Sequence, residues 1–372
     1  DLIGGNLMLQ AEDFAWGGNR MPVVLRHVYQ SALGDLPYTE NRSVLLNAAD
    51  FSAMHIGNGF RLNVMQSMKP ATFQSQGKQY GGYAYLDENG NETFFKESSG
   101  RYVYGENNQC YMLYEDIDAG TMLYDPEKRT LKSGRDSYLF DAAGRLIQKT
   151  DESGNRMSVT YENGRIAVVQ DGAERSFAFA YDESGYLSTV TAPDGSQIRY
   201  TYTGALLHEI GYPGGEKLTI GYTGNLPTEF VLSQDNTPLT KFVYTYSGER
   251  VASVTEYGFE NGMQIAGATT AYDYSASARR TVATTTEPAE SGESPEPIKT
   301  VYTFDNAWNP IGEYRYSKAT GSTGVQQGQS GIQPLGGDGT AVVSTINNHL
   351  RWHNFAAAGK WSAMPENEGS FY

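Results

Sequence analysis

The chain has 372 residues and a formal net charge of −15, which argues against nucleic-acid binding and docking on an anionic membrane, because both need clustered basic residues. Its single cysteine, Cys110, excludes an internal disulfide and a cysteine-based metal site. Its 42 glycines and 14 prolines fall short of the content typical of low-complexity disorder, and 27 tyrosines with 15 phenylalanines can fill a sizeable core.

Residues 1–136 are predicted to form a β-rich region that precedes a repeat array. Within it, the run from Asp87 to Glu92 (DENGNE) has some of the acidic and amide residues that begin a calcium-binding loop. The rest of the calcium-loop pattern is missing, and the same residues suit a hairpin turn. We therefore expect a turn at this position.

Residues 137–318 are predicted to be a tandem array of β-hairpins. In each repeat an aromatic residue ends a strand, and a short turn with glycine and then an aliphatic residue follow. The signature recurs about every 20 residues as far as Tyr222 and at longer intervals beyond it. The predicted signature residues are Phe140, Asp141, Gly144, Tyr161, Gly164, Tyr181, Asp182, Gly185, Tyr202, Gly204, Tyr222, Gly224, Tyr246, Gly248, Phe304 and Asp305.

Side-chain alternation in these repeats predicts strands with one buried face. Phe177, Phe179 and Tyr181 alternate with Ala178 and Ala180, which is the period of two expected of such a strand. Just past each signature turn, two aliphatic residues three positions apart break this alternation, so we expect a β-bulge there. These pairs are Ile166 and Val169, Leu187 and Val190, Leu207 and Ile210, and Val251 and Val254.

The predicted fold class is all-β, with tandem hairpins forming a long, twisted, curved sheet or spiral. One hairpin of this length cannot bury its apolar face, whereas hairpins stacked edge to edge share one continuous face. The tyrosines could stack on sugar rings or could pack the sheet. Their regular recurrence favours packing, because repetition follows the architecture and not a single binding site.

The repeats closely resemble the YD-repeat, or rearrangement-hotspot (RHS), family. The family pattern of Tyr-Asp, a short turn and Gly-Arg-Leu is similar to Phe140-Asp141 with Gly144-Arg145-Leu146, and Tyr181-Asp182 with Gly185-Tyr186-Leu187 also resembles it. The opening stretch from Asp1 to Leu7 and the strand at 25–29 resemble the region that precedes such repeats.

The resemblance implies a section of a hollow β-sheet shell in a large secreted or cell-surface bacterial protein, such as a toxin carrier or wall-associated protein. Its partner would be the rest of its own polypeptide, including a cargo domain. Some family members are described as carbohydrate-binding, which makes a glycan or cell-wall polymer the alternative partner. The chain lacks the block resembling R-Y-Y-D-P-x-x-G-R-F that closes the shell in the family.

Three further segments are predicted around and after the later repeats. Residues at about 284–298 are rich in proline and glutamate and are interpreted as a loop between strands. Residues 319–344 are rich in glycine, serine and glutamine and are interpreted as a linker. Residues 345–372 resemble the truncated start of a β jelly-roll module, in which Trp352 and Trp361 are candidate glycan contacts.

No residue is predicted to act in catalysis or to hold a cofactor or metal ion. The sequence has no G-x-S-x-G elbow, no P-loop and no H-E-x-x-H pattern. His349 and His353 are four residues apart, a spacing that suits a metal only on a helix, and their segment is predicted to be extended. The favoured function is therefore a structural scaffold, with an adhesin-like binding module as the alternative.

Overall fold

The computed structural model describes the backbone of residues 5–18, 20–31, 44–45, 56–75, 78–90, 92–98, 101–104, 122–275, 277–289, 297–304, 310–317, 340–346, 349–355 and 361–362. Every regular element within these ranges is a β-strand, so the predicted all-β class is confirmed. The described residues contain no helix of the length and apolarity needed to cross a membrane.

The strands are short in the first repeats and become longer towards residue 275. Their bounds are β1 Met8–Ala15, β2 Val24–Gln30, β3 Val44–Leu45, β4 Phe60–Leu62, β5 Ser67–Ser75, β6 Lys78–Leu86, β7 Glu92–Ser98, β8 Arg101–Tyr104, β9 Met122–Asp125, β10 Thr130–Ser133, β11 Asp136–Phe140, β12 Leu146–Thr150, β13 Arg156–Glu162, β14 Arg165–Gln170, β15 Ser176–Tyr181, β16 Leu187–Thr191, β17 Gln197–Thr203, β18 Leu206–Gly211, β19 Glu216–Thr223, β20 Leu226–Gln234, β21 Thr237–Ser247, β22 Arg250–Glu260, β23 Met263–Ser275, β24 Arg280–Thr286, β25 Ile298–Phe304, β26 Pro310–Ser317, β27 Thr340–Ile346, β28 His349–Phe355 and β29 Trp361–Ser362.

The chain divides into two compact units. The first unit comprises residues 7–227 and 232–237, and the second comprises residues 1–6, 228–231 and 238–372. In the first unit, β5 to β19 follow one another as antiparallel neighbours, so that each hairpin pairs with the next one along the chain. This pairing confirms the predicted edge-to-edge stacking of the repeats.

One face of the repeat strands in the first unit is buried. In β15 the side chains of Phe177 and Phe179 are buried, whereas Ala178 and Ala180 are exposed, as the alternation predicts. A separate antiparallel sheet of β1, β2 and β4 packs on the repeat strands within this unit. The ring of Phe14 on β1 contacts that of Phe177 edge-on, with 5.9 Å between the ring centroids.

The predicted bulges are present, and each one reverses the direction of the side chains that follow it. Tyr161 pairs with Ile166 while Thr160 pairs with Val168, so Ala167 is the extra residue. The extra residue turns two aliphatic side chains three positions apart towards the same buried face. The bulges in the next repeats follow Leu187, Leu207 and Val251 in the same way.

Two kinds of turn join the strands of the array. Tight two-residue turns join the strands of some hairpins, as at Asn163-Gly164, where both residues have positive φ and form the turn type that matches the twist of a hairpin. Longer turns begin with an aspartate that caps the turn, as at Asp141 and Asp171. Asp87 likewise caps its own turn by accepting the Asn89 amide at 2.8 Å, which confirms the hairpin-turn interpretation.

The second unit contains the longest of the described strands. β21, β22 and β23 have 11, 11 and 13 residues, and β22 and β23 join at an Asn261-Gly262 turn. β24 pairs with β23 on one side and with β25 on the other. The proline-rich segment at about 284–298 lies between β24 and β25 in the chain. A further three-stranded sheet is formed by β27, β28 and β29.

Candidate functional site

Tyrosine hydroxyls connect several of the described repeats to the ones before them. The hydroxyl of Tyr181 donates a hydrogen bond of 2.9 Å to the backbone carbonyl of Ile166, fifteen residues earlier. The same bond recurs in other repeats, and the accepting carbonyl belongs to an aliphatic residue that follows the preceding signature turn. The bonds are Tyr161 to Leu146 at 2.9 Å, Tyr202 to Leu187 at 2.7 Å, Tyr222 to Leu207 at 2.6 Å and Tyr274 to Val251 at 2.9 Å.

For Tyr161, Tyr181, Tyr202 and Tyr274, the residue just before the accepting carbonyl covers the face of the same tyrosine ring. The guanidinium of Arg145 lies 4.3 Å from the centroid of the Tyr161 ring, which is a close cation–π contact. Other repeats show the same contact, with Tyr186 replacing arginine in one of them. The distances are 5.3 Å for Arg165 on Tyr181, 4.9 Å for Tyr186 on Tyr202 and 5.9 Å for Arg250 on Tyr274. We call this pair of contacts a tyrosine clamp.

The bulge explains why the clamp uses a hydroxyl. A bulge interrupts the regular ladder of backbone hydrogen bonds at one residue. In the described clamps on Tyr161, Tyr181 and Tyr202, the accepting carbonyl belongs to the residue immediately before the extra one. The tyrosine therefore supplies a donor beside an irregular point in the ladder, and a buried carbonyl without a donor would cost stability.

Burial of the clamps favours the neutral phenol. Desolvation raises the pKa of Tyr181 to about 12. It raises the pKa values of Tyr161, Tyr202 and Tyr222 still further. The protonated hydroxyl that the clamp requires as a donor is thus retained well above neutral pH.

The aspartates of the signature cap the turns between strands. One carboxylate oxygen of Asp141 accepts the backbone amides of Ala143 and Arg145, both at 2.9 Å, and the other accepts the Arg145 guanidinium at 2.8 Å and 2.6 Å. Partial burial opposes ionisation of Asp141, but the hydrogen bonds from Arg145 outweigh it and lower its pKa. Arg145 therefore serves both the turn and the clamp on Tyr161.

The other predicted signature residues have the following places. Asp182 accepts the Tyr186 amide at 2.9 Å. Phe140, which has no hydroxyl, is fully buried beside the rings of Tyr85 and Tyr124, and Phe304 is also buried. Tyr246 pairs with Val251 across a bulge. The predicted glycines Gly144, Gly164, Gly185, Gly204, Gly224 and Gly248 all have φ between +60° and +91°. Asp305 and the side chains of Trp352, Trp361, His349 and His353 lie outside the described residues.

A buried polar cluster, which the sequence analysis missed, joins the small sheet to the repeats. The carboxylate of Asp13 on β1 lies 2.7 Å from Nδ1 of His27 and accepts the hydroxyls of Tyr212 at 3.0 Å and Tyr200 at 3.3 Å. The side chains of Asp13 and His27 are 0% and 3% exposed. A substrate cannot reach a carboxylate enclosed in this way, so the geometry suits docking of the sheet.

A bulge in β1 directs Asp13 into this cluster. Glu12 pairs with Arg26 and Phe14 with Leu25, so Asp13 is the extra residue and its side chain turns inwards. The local sequence LQAEDFA gives no sign of this turn. Desolvation and the nearby Asp13 carboxylate raise the pKa of Tyr200 well above its usual value and also raise that of Tyr212, so both phenols remain donors.

The side chain of Arg175 forms a second contact between the segment that follows β1 and the repeats. Its guanidinium binds the carboxylate of Asp171 at 2.7 Å and 2.6 Å. It also donates to the carbonyl of Gly17 at 2.9 Å and lies 5.7 Å from the ring of Trp16. The turn at Asp171 thus carries the same Asp-to-Arg cap as Asp141, but its arginine reaches the segment after β1. Among the side chains that the structure describes, no three His, Cys, Asp or Glu residues are grouped as metal ligands would be.

Neither a family model nor a curated protein matches the chain. Among solved structures, a protein of unknown function from Bacteroides fragilis NCTC 9343 matches at 14% identity over 38% of this chain and 96% of its own, with a TM-score of 0.23. TcdB2-TccC3-Cdc42 matches at 11% identity over 95% of this chain and 20% of its own (TM-score 0.33). TcdB2-TccC3-TEV matches at 14% identity over 93% and 19% (TM-score 0.35), so the chain spans about a fifth of both. Scores this low establish no common fold.

Proposed function

We propose that the chain is a structural wall section of a large secreted or cell-surface bacterial protein of the RHS type, and that it has no catalytic role. The observation that carries this proposal is the tyrosine clamp. In the repeats that have the clamp, the tyrosine of one hairpin contacts two residues of the Gly-Arg-Leu motif in the preceding hairpin. The arginine covers the tyrosine ring, and the carbonyl of the next, aliphatic residue accepts the hydroxyl. The signature residues therefore act in building the sheet.

The low stability of an isolated hairpin supports a scaffold role for the stacked repeats. A single two-stranded hairpin is marginally stable in water, and it leaves its strand edges open to unwanted pairing. Here the repeat hairpins pair with their neighbours, and several of them also donate a tyrosine hydroxyl to a carbonyl beside the preceding bulge. Each added hairpin therefore stabilises the sheet, as expected for a structure that encloses or displays another domain.

The division of the chain belongs to the same proposal. Residues 137–318 would form the repeat wall, 1–136 the region that begins it, and 319–344 a linker to a further β module at 345–372. The partner of the wall would be the rest of its polypeptide, with any cargo that the shell holds. The RHS resemblance and the clamp support this division, since the clamp gives the Gly-Arg-Leu motif a physical role.

Hydrogen exchange on the full chain tests the wall directly. If the repeats form one coupled sheet, Tyr202→Ala should speed exchange in β17 and in the flanking strands β15, β16, β18 and β19, because the clamp joins successive hairpins. The control is Thr201→Ala, which changes an exposed side chain on the same strand. Faster exchange limited to β17 would contradict a coupled wall.

A glycan and polysaccharide binding screen distinguishes a wall from a carbohydrate-binding module. It is made at moderate salt, so that the net charge of −15 does not distort the result. A wall section should bind no polymer class reproducibly. Binding that is lost in Trp352→Ala or Trp361→Ala would overturn the proposal and assign the chain to the adhesin class.

A further inference from the structure

One enclosed polar cluster lies inside the contact between the small sheet of β1, β2 and β4 and the repeat strands. Asp13 on β1 and His27 on β2 come from the small sheet, whereas Tyr200 on β17 and Tyr212 after β18 come from the repeats. The side chains of Asp13 and His27 are 0% and 3% exposed, and Tyr200 is buried as well. A change of protonation in groups enclosed in this way strongly alters the stability of the contact that contains them.

Each neighbour of the Asp13 carboxylate in the cluster is a hydrogen-bond donor. An ionised carboxylate only accepts hydrogen bonds, so Nδ1 of His27, which lies 2.7 Å from it, carries a proton. The hydroxyls of Tyr200 and Tyr212 donate at 3.3 and 3.0 Å, and burial keeps them protonated because it raises their pKa values. A protonated Asp13 adds a further hydrogen among three donors. Acid therefore opposes the hydrogen bonding of the docked sheet.

The net charge of the cluster also changes in acid. With Asp13 ionised, the charge is −1 when His27 is neutral and zero when the imidazole is protonated. When both groups carry their protons, the charge becomes +1. Tyr200, Tyr202 and Tyr212 are neutral phenols and cannot balance it. An enclosed imidazolium without a counter-ion is strongly unfavourable, because a buried charge needs a partner.

The small sheet offers no replacement for the Asp13 carboxylate among its described residues. His27 is the ion-pair partner of Asp13, and the β4 residue beside His27 is Phe60, whose ring centroid lies 6.1 Å from that of the imidazole. The charged residues Arg26 and Arg61 lie on the opposite face of the sheet, because they alternate with His27 and with the residue paired to it, and Glu12 is exposed.

The described repeat strands beside the cluster also lack an enclosed anion that could take the place of Asp13. Arg199 on β17 and His208 on β18 are exposed. Glu209 on β18 is paired with Lys217 at 3.1 Å. Glu216, at the start of β19, is exposed to solvent. The charge of an enclosed imidazolium is therefore balanced by Asp13 alone within this part of the structure.

We propose that Asp13 and His27 form an acid-sensitive latch, which holds β1 and β2 against the repeat strands at neutral pH and releases them in acid. Release opens the face of the repeats on which Phe14 and Trp16 pack against Phe177. The latch depends on the docked sheet alone, so it holds whether or not the chain is a wall section.

The contact made by Arg175 should outlast the latch as the pH falls. Partial burial opposes ionisation of Asp171, but the hydrogen bonds from Arg175 outweigh it and lower the pKa of Asp171. Arg175 also donates to the carbonyl of Gly17, which does not titrate. Acid should therefore free β1 and β2 from β17 while the segment after β1 stays attached.

Pulsed electron paramagnetic resonance on the full chain tests the latch. Spin labels on Gln10→Cys and Thr201→Cys, in a Cys110→Ser background, report the distance from β1 to β17, since both positions are exposed. Over a series from about pH 8 to about pH 3, this distance should lengthen reversibly in acid. A second pair on Thr160→Cys and Thr201→Cys lies within the repeats and should keep its distance. Lengthening of both pairs together would show general unfolding and overturn the proposal.

Two variants should shift the midpoint of release in opposite directions. Asp13→Asn leaves the imidazole without a counter-ion, so protonation of the imidazole alone opens the latch and the midpoint should rise by at least about one pH unit. His27→Gln removes the imidazolium, so the midpoint should fall by at least about one pH unit or the release should be lost. Asp194→Asn, at an exposed turn, should keep the wild-type midpoint. A wild-type midpoint in either latch variant would overturn the proposal.

Discussion

At the scale of the residue, a signature tyrosine contributes both a ring and a hydroxyl. The ring packs against the side chain that follows the turn of the preceding hairpin, as Tyr161 does against Arg145. The hydroxyl donates to a backbone carbonyl beside a bulge, as Tyr161 does to Leu146. The recurring tyrosine is thereby explained by packing, as the regular spacing predicted. Phenylalanine at position 140 has a ring but no hydroxyl, and its ring is fully buried beside those of Tyr85 and Tyr124.

The two contributions can be measured apart at Tyr202. Tyr202→Phe removes the hydrogen bond to Leu187 and should lower the free energy of unfolding by about 1 to 2 kcal/mol. Tyr202→Ala also removes the ring, which is stacked on Tyr186, and should cost about 2 to 4 kcal/mol. Urea unfolding of both variants checks the order. A phenylalanine variant as stable as wild type would show that the hydroxyl bond is not needed.

The buried carboxylate of Asp13 should be more sensitive to change than an aspartate at an exposed turn. Asp13→Asn leaves a nearly equal volume but removes the charge that His27, Tyr200 and Tyr212 face. Leaving a buried hydrogen-bonding group without its partner typically costs about 1 to 3 kcal/mol. We expect a loss of that size in urea unfolding, with faster hydrogen exchange in β1 and β2. The control Asp194→Asn, at an exposed turn, should leave the free energy of unfolding almost unchanged.

At the scale of the element, the aspartate-capped turns use one backbone conformation with different residues. The amides of Gly144, Gly154 and Glu174 all bond to the carbonyl of the aspartate three residues earlier, at 3.0, 3.1 and 3.0 Å. All three residues have positive φ, and Glu174, at +64°, is the one that has a side chain. A side chain in this region of φ costs energy that glycine avoids.

This comparison predicts a stabilising substitution. Glu174→Gly should raise the free energy of unfolding by about 0.5 to 1 kcal/mol, because relief of strain exceeds the extra entropy of glycine in the unfolded chain. Gly154→Ala is the matched reverse change. Gly154 has a φ of +81°, and no atom lies within 4 Å of an added Cβ. The alanine should therefore lower the free energy of unfolding by about 1 kcal/mol through backbone strain alone. Chemical denaturation measures both, and a destabilised Glu174→Gly would refute the shared turn conformation.

At the scale of the whole molecule, the tyrosines make stability depend on alkaline pH. A folded tyrosine with a raised pKa keeps its proton where an unfolded one, with a pKa of about 10, has lost it. The stability from protonated clamps is therefore complete below about pH 10 and is lost as the pH rises through the folded pKa, which is about 12 for Tyr181. Each clamp adds a slope of up to about 1.4 kcal/mol per pH unit above pH 10.

Unfolding in urea at neutral pH and at about pH 11 checks this dependence. The fall in stability should be shallower in a variant with Tyr161→Phe, Tyr181→Phe and Tyr202→Phe, because three of the titrating groups are gone. Tyrosinate absorbance in the folded chain should rise together with loss of the β-sheet circular dichroism signal. Equal pH slopes for the variant and the wild type would contradict the assignment to the clamps.

The sequence by itself determined the class of structure, the repeat period, the turns and the bulges. These features depend on residues close together in the chain: alternation sets the buried face of β15, glycine sets the turn conformation, and aliphatic residues three apart require a bulge to share a face. The role of each signature glycine could be predicted for the same reason, since φ is a local property.

Only the tertiary structure decided which groups meet across the sheet and at the small sheet of β1, β2 and β4. The acceptor of each tyrosine hydroxyl lies in another hairpin, and the Asp13 cluster joins residues separated by up to 199 positions. No local pattern marks Asp13 as buried, because one extra residue in β1 reverses its direction. Contacts between distant segments depend on sheet register and packing, and these are set by the whole fold and not by any short stretch of sequence.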